Sequence, residues 1–197
     1  CSSDLVVTAP LAVAPAVASG HAAQLLAFHT IMQPGDEFVA ARQLYGGSIN
    51  QFAHSFKSFG WHVVWADGDD LSSFEKAISP KTKAIFIESI SNPGGRVTDI
   101  AGVAKIAQKA GIPLIVDNTI ATPYLIRPIE WGADIVVHSL TKFAGGHGTS
   151  IAGSITDGGK FDFSASGRFP NFTEPDPSYH GLAYWPALGA GSYIIKA

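Results

Sequence analysis

The residues best equipped for chemistry lie in Asp134-Ile-Val-Val-His-Ser-Leu-Thr-Lys142-Phe143, closely followed by Gly145-Gly-His-Gly148. The apolar, β-branched run reads as a buried strand that ends in two hydroxyls and a lysine. A glycine-rich turn then lets the backbone pass close to a ligand. A lysine at such a strand exit is either a surface charge or a chemically employed amine. Desolvation would lower its pKa and free the lone pair that attacks an aldehyde. Ser139 and Thr141 precede it and can donate hydrogen bonds to an anion such as a phosphate. Taken alone, the stretch reads equally as a strand followed by a basic surface loop.

Twenty-five positions upstream, Gly111-Ile-Pro-Leu-Ile-Val-Asp117-Asn-Thr119 is a second short apolar strand ending in an acid. Ligands of open parallel sheets collect outside the carboxyl ends of the strands. Neighbouring strands delivering Asp117 and Lys142 to that edge would grip opposite ends of one flat molecule. Pyridoxal 5'-phosphate requires such a set: a lysine for its aldehyde, an acid to keep its ring nitrogen protonated, and donors for its phosphate. A helix cap is the alternative role for Asp117. Ser19-Gly20-His21 precedes a helix whose free amides and positive end suit a phosphate. Tyr45, next to the flexible Gly46-Gly47 pair, offers a ring to stack on a pyridine face, an arrangement adding about 0.5–1.5 kcal/mol beyond area burial.

These stretches together resemble the cysteine/methionine-metabolism family of pyridoxal-phosphate enzymes. The resemblance rests on Ser19-Gly-His-Ala-Ala23, Leu44-Tyr-Gly-Gly-Ser48, Glu88-Ser89 with Asn92-Pro93, Val116-Asp-Asn-Thr119 and Ser139-Leu-Thr-Lys142, in the family's order from about Ala18 onward. Thr119-Ile-Ala-Thr-Pro-Tyr124, Gly146-His-Gly-Thr-Ser-Ile151 and Phe172-Thr-Glu-Pro-Asp-Pro-Ser-Tyr-His180 look most like the O-acetylhomoserine sulfhydrylase branch. The chain departs from the family at Ala144, where a larger aliphatic residue is usual, and at His21, where many members carry methionine. The resemblance implies an α/β fold with a mostly parallel central sheet flanked by helices, the large cofactor-binding domain of aspartate-aminotransferase-like (fold type I) enzymes. It implies pyridoxal 5'-phosphate as cofactor, held by Gly20, His21, Tyr45, Asn92, Asp117, Thr119, Ser139, Thr141 and Lys142. Lys142, Asp117 and Tyr45 would be catalytic. Asn92 would face the cofactor's phenolic oxygen or the substrate carboxylate.

The activity implied is γ-replacement on O-acetylhomoserine, with sulfide or a thiol giving homocysteine or methionine and acetate. Cystathionine γ-synthase or γ-lyase chemistry of the same family is the alternative, as is a non-catalytic cofactor-binding fragment. Residues 1–197 read as one partial cofactor domain, with an N-terminal segment and the C-terminal substrate domain outside it. The fragment alone is therefore expected to be inactive. The implied partners are a small amino-acid substrate and sulfide, and a homodimer or homotetramer for the whole protein.

Composition narrows the classes. A net charge of −3 without a basic stripe argues against nucleic acid. One cysteine, Cys1, cannot form an internal disulfide, which agrees with a cytoplasmic setting. No apolar run is long enough to span a membrane. Seven histidines without tight ligand spacing make a zinc site unexpected. His138 reads as structural and His147 as a glycine-loop residue. Residues 5–18, apolar with Pro10 and Pro15, receive no role.

Strand-like and helix-like periods alternate, as a parallel α/β sheet requires. Helices are expected at 20–32, 48–58, 71–78 and, capped by Asp99, up to Ala110. Strands are expected at 37–41, 61–66, 83–87, before Asp117, before Lys142, and at an edge over 151–155. Residues 164–186, rich in Pro, Gly and Ser, read as a long loop.

Overall fold

Alternating strands and helices build one seven-stranded sheet in the computed structural model, which describes residues 14–197. The strands are β1 (Ala16–Val17), β2 (Glu37–Ala41), β3 (His62–Ala66), β4 (Thr82–Glu88), β5 (Leu114–Asp117), β6 (Ile135–Ser139) and β7 (Gly153–Asp157). Their order is β1-β7-β6-β5-β4-β2-β3, and among the described residues β7 alone runs against the rest. The helices are α1 (Gly20–His29), α2 (Gly46–Ala53), α3 (Leu71–Ala77), α4 (Ile100–Ala110), α5 (Thr122–Leu125), α6 (Pro170–Thr173), α7 (Tyr184–Leu188) and α8 (Ser192–Lys196).

From β2 the chain moves outward through α2 to β3, then returns through α3 to β4 on the other side of β2. Right-handed crossovers require α2 to cover one face of the sheet and α3 and α4 the other. The strand order therefore reverses between β2 and β4, the place where ligands of such sheets bind. The central strands are buried on both faces, and β5 accordingly reads Leu-Ile-Val-Asp with no alternation. Phe28 of α1 meets Phe38, Phe52, Phe56 and Phe86, a tilted and edge-on cluster on the α2 face. Asp99 caps α4 through Gly102 N, and Gly111 closes it with φ +66°.

Several expectations are corrected by the packing. The helix expected over 48–58 starts earlier, at Gly46, and after Ala53 tightens into a 3-10 turn over Ser55–Phe59 that buries Phe56. The strand expected at 151–155 lies at Gly153–Asp157 and is not an edge, because β1 pairs with it on its far side. Ala16 and Val17 thus have a structural role within a segment to which the sequence assigned none; residues 5–13 of that segment lie outside the described residues. The stretch 164–186 is not a long loop. It holds α6, the start of α7 and a 3-10 turn at Pro177–Tyr179, organised around buried Phe169 and Phe172. Phe163 stacks on Phe172 at 4.1 Å, and the Tyr193 hydroxyl donates to Ala27 O at 3.1 Å. Aromatic burial overrides the Pro and Gly content there.

The Arg168 guanidinium donates to the carbonyls of Ser79, Pro80 and Thr82, at the start of β4. Lys83 donates to Arg168 O and lies 3.6 Å from Asp36, just before β2. These contacts fasten the C-terminal segment to the amino ends of the strands, opposite Asp117.

Asp157 at the end of β7 is buried, and burial pushes its carboxyl up to about 6, against a hydrogen bond from Gly159 N. Because the folded pKa is raised, the folded chain binds more protons than the unfolded one between about pH 4 and 6. Stability therefore falls as pH rises through that window. Asp157→Asn keeps the acceptor for Gly159 and cannot ionise. It is expected to raise the melting temperature at pH 8, by on the order of 1–3 kcal/mol of stability, and to change little at pH 4. Thermal denaturation at the two pH values checks this.

Candidate functional site

Parallel pairing aligns Glu88 of β4 with Asp117 of β5, and Asp117 with Val137 of β6. The carboxyl ends of four neighbouring strands consequently present Tyr45 (four residues beyond β2), Glu88 with Asn92, Asp117 with Thr119, and Ser139 with Lys142 along one edge. The helix α1 packs against β6 and β7 and brings its N-terminus to the same edge.

Ser19 caps α1, its side chain accepting from Ala22 N at 3.1 Å. Gly20 and His21 occupy the first two helical positions, whose N–H groups have no carbonyl within the helix. A Cβ on Gly20 would lie 2.6 Å from Ser139 Cβ, so only glycine lets the helix end sit this close to the β6 exit. Two free amides beside a serine hydroxyl form a cradle for a phosphate-sized anion. On the other side of α1's first turn, the His21 and Tyr45 rings lie stacked with centroids 6.0 Å apart. A Cβ on Gly47 would come within 2.4 Å of the Tyr45 ring and 2.8 Å of His21 Nε2. Tyr45 remains 45% exposed, its ring available at the rim.

Asp117 is held on both oxygens. Thr119 N donates to Oδ1 at 2.9 Å and the Gln24 amide to Oδ2 at 3.0 Å. A carboxylate offers about four lone-pair sites, so acceptor capacity for a ring N–H remains. The Gln24 amide also donates to Ser48 at 2.9 Å, which ties α1, α2 and β5 together in a buried polar knot. Thr119 Oγ1 accepts from Ser139 N at 2.8 Å and joins the β5 exit to the β6 exit. Beneath them Asn118 is fully buried, accepting from Ser89 Oγ at 2.7 Å and donating to Ile126 O at 3.0 Å. Burial pushes the His138 imidazole below its usual range, against the pull of Asp117, and its Nε2 lies 3.3 Å from the Asn118 amide. That packing fits the structural role read for it.

Two residues differ from their expected surroundings. Lys142 lies in the turn after β6 and is exposed, not desolvated, because β6 ends at Ser139 and the chain turns outward. The burial expected of this amine is therefore not found in the structure. Thr141 Oγ1 donates to Ala152 O at 3.2 Å and accepts from Ala152 N at 3.1 Å. Contact with a phosphate requires that hydroxyl to leave the Ala152 carbonyl. Asn92 is exposed at the rim. Thr122, just past β5, has φ +59°, a strained value for a β-branched residue and of the kind that gathers at functional sites.

Sequence reading missed Gln24 and Ser48, and it gave Glu88 no role. A glutamine on the apolar side of α1, between alanines and leucines, is the signal that marked Gln24. Glu88 is buried and accepts from Tyr45 N at 2.7 Å and Asn92 N at 2.9 Å. Burial is the main cause that pushes its carboxyl up to about 7, and neighbouring Asp117 adds to it; the two amides pull the other way.

Solved structures with this architecture place the fold in the type I class of pyridoxal-phosphate enzymes. A Campylobacter jejuni protein assigned as an O-acetylhomoserine (thiol)-lyase, carrying N'-pyridoxyl-lysine-5'-monophosphate, superposes with a TM-score of 0.83 at 41% identity, over 86% of this chain and 42% of that one. An O-acetylhomoserine sulfhydrylase from Wolinella succinogenes superposes with a TM-score of 0.79 at 34% identity, over 94% and 50%. Residues 8–175 match the family model described as Cys/Met metabolism PLP-dependent enzyme, and the chain belongs to that family. Among curated relatives, the O-acetyl-L-homoserine sulfhydrylase of Leptospira meyeri is 51% identical over 174 residues, 88% of this chain and 39% of its own length. The homocysteine/cysteine synthase of Saccharomyces cerevisiae is 47% identical over 186 residues, 93% and 42%. The chain thus spans about two fifths of the length of these curated relatives.

Gly20→Ala is expected to push the α1 N-terminus off Ser139. Pyridoxal-phosphate affinity should fall at least roughly tenfold, the scale of one lost charge-assisted contact, with little change in helical content. Absorbance titration together with far-ultraviolet circular dichroism measures both.

Proposed function

We propose that the whole protein of which this chain forms part of the cofactor-binding large domain is a pyridoxal-phosphate-dependent γ-replacement enzyme, joining sulfide or a thiol to the four-carbon skeleton of O-acetylhomoserine with release of acetate. The observation that carries the reading is the convergence of phosphate cradle, lysine, acid and stacking tyrosine on one sheet edge, on a chain 44–51% identical to relatives named for that chemistry.

The residues on this edge fit the cofactor. The Gly20 and His21 amides and the Ser139 hydroxyl, with Thr141 after rotation, would hold the phosphate. Asp117, oriented by Gln24 and Thr119, would keep the ring nitrogen protonated, and Tyr45 would cover a ring face. When bound, pyridoxal phosphate supplies an aldehyde that captures amines and a ring that draws off negative charge from the adjacent carbon. Lys142 would hold that aldehyde. Its Nζ, when free, would be the base that takes the proton from substrate Cα and returns it later. Asn92, at the rim beside Tyr45, would face the cofactor's phenolic oxygen or bind the substrate carboxylate. Acetate leaves from Cγ and the sulfur nucleophile bonds there. The reaction accords with a cytoplasmic enzyme, and no helix among the described residues is long and apolar enough to cross a membrane.

A γ-lyase reading shares the same edge, since the cystathionine γ-lyase of Lactobacillus plantarum superposes with a TM-score of 0.71 at 39% identity. Products separate the two. The whole protein given O-acetylhomoserine and sulfide should form homocysteine and acetate. Cystathionine from cysteine as donor, or ammonia and an oxo-acid from elimination, would instead place it with the synthase or the lyases.

Lys142 is the residue on which this reading is most exposed. The wild-type protein loaded with pyridoxal phosphate should absorb in the visible region, and borohydride should fix the label on the peptide containing Lys142. Lys142→Ala should lose both signals. A label mapping to Lys105 or Lys109 would sink the assignment.

Asp117→Asn should still capture the aldehyde while turnover falls by about 10²-fold or more, because a neutral amide cannot hold the ring nitrogen's proton. Steady-state kinetics at saturating cofactor reads this directly.

A further inference from the structure

We propose that Glu88 is a positioning residue whose carboxylate ties the Tyr45 turn to the Asn92 turn, and so sets the crevice between them where a planar cofactor and its substrate would sit. The proposal rests on the pyridoxal-phosphate reading above and adds to it a residue that acts through two neighbouring turns.

The fold creates the need for such a tie. Strands β2 and β4 are hydrogen-bonded neighbours, yet the connections that leave them diverge, because the strand order reverses between them. The backbone ladder that aligns the strands stops where the turns begin. Tyr45 leads into α2, while Asn92 enters the turn of Pro93, Gly94 and Gly95. Glu88 stands at the end of β4, and each carboxylate oxygen takes one turn: Oε1 accepts from Tyr45 N at 2.7 Å and Oε2 from Asn92 N at 2.9 Å. The group is only 6% exposed, so water competes poorly for either bond. Its backbone is fixed too, the Glu88 carbonyl accepting from Thr98 Oγ1 at 2.6 Å.

A buried acid that merely satisfies two loop amides would show the same distances. Protonation separates the two roles. The charged group acting on Glu88 is Asp117 from β5; from the β2 and β4 exits it meets the N–H groups of Tyr45 and Asn92. Its carboxyl is raised to about 7, chiefly by burial. Below that pH a proton exchanges between the two oxygens, and whichever carries it can no longer serve its amide as before, so the tie slackens at both turns as pH falls. The chain's own stability moves the opposite way. A carboxyl raised from 4.5 to about 7 makes the folded state bind the extra proton, so stability is greater at low pH and declines as pH rises through that window. A crevice that loosens while the chain becomes more stable is not the signature of general packing.

The test uses the whole protein, apo and loaded, as wild type and Glu88→Gln. Hydrogen exchange of the Tyr45 and Asn92 amides is measured on the apo form and divided by the intrinsic rate at each pH. Pyridoxal-phosphate affinity is measured by absorbance from pH 6 to 8. In the wild type, both protections and the affinity should fall together as pH drops through about 7. Glutamine presents an N–H to one of the two amides at every pH. That variant should lose protection at one turn and bind the cofactor roughly tenfold more weakly, with a flat profile from pH 6 to 8 and its borohydride label still on Lys142. Wild-type protection and a wild-type pH profile in Glu88→Gln would overturn the proposal. If that variant fails to fold, absence of the inflection in the wild-type exchange profile overturns it equally. Failure of the wild type to take up pyridoxal phosphate would instead sink the functional reading, and the apo exchange data would still decide whether the carboxylate holds the two turns.

Discussion

The in-register parallel pairing of β4, β5 and β6 is the constraint on which everything else in this molecule depends. Parallel strands advance together, so aligning Ile85 with Leu114 at one end necessarily aligns Glu88 with Asp117 at the other. The pairing continues one step past the strands, Ser89 N donating to Asp117 O and Asn118 N to Val137 O. A slip of one residue would turn Asp117 to the opposite face and bury its carboxylate without Gln24. Register is fixed from the amino end as well: the Asp134 carboxylate accepts from Leu114 N at 2.8 Å and starts β5 in phase with β6.

Upon that frame sits a continuous polar layer beneath the rim. Gln24, Ser48, Ser89, Asn118 and His138 are all buried, and each spends hydrogen-bonding groups on a neighbour that carries a rim residue. Buried amides and hydroxyls are costly unless paired, so their pairing here serves to lock side-chain orientation at the edge. Gln24 Oε1 is the exception, buried without a partner among the described residues, because both amide hydrogens are drawn to Ser48 and Asp117. The orientation of Asp117 is thus kept at the expense of an unsatisfied oxygen nearby.

Much of this was legible in the residues. Buried strands announce themselves as short apolar runs, and Asp117 and Ser139 stand at the ends of such runs because the edge of a parallel sheet is where polar groups first meet solvent. Asp99 and Gly111 mark α4 by ordinary capping chemistry. Less was legible where tertiary packing decides. The 164–186 stretch has a loop's composition but an aromatic core, and no local pattern says that Phe163 will meet Phe172 and Tyr193. β7 ceases to be an edge only because a two-residue strand 137 positions earlier, Ala16–Val17 against Gly153–Ser154, pairs with it. Gln24 and Glu88 escaped for a related reason: the rim residues they hold, Asp117 and Tyr45, lie 93 and 43 residues away in sequence. The exposure of Lys142 likewise follows from where the turn points, which its neighbours in sequence do not disclose.

The Arg168 fastening has a further meaning. It grips carbonyls at the start of β4, whereas the polar layer lies beyond the other end of the same seven-residue strand. At about 3.3 Å per residue the two are separated by roughly 20 Å of rigid, doubly covered strand. Perturbations that far apart with no shared partners combine additively. The fold therefore keeps two separate accounts of selection. The amino edge can drift, tighten or be re-engineered for durability, while the carboxyl edge is free to change its chemistry without unpicking what holds the sheet together.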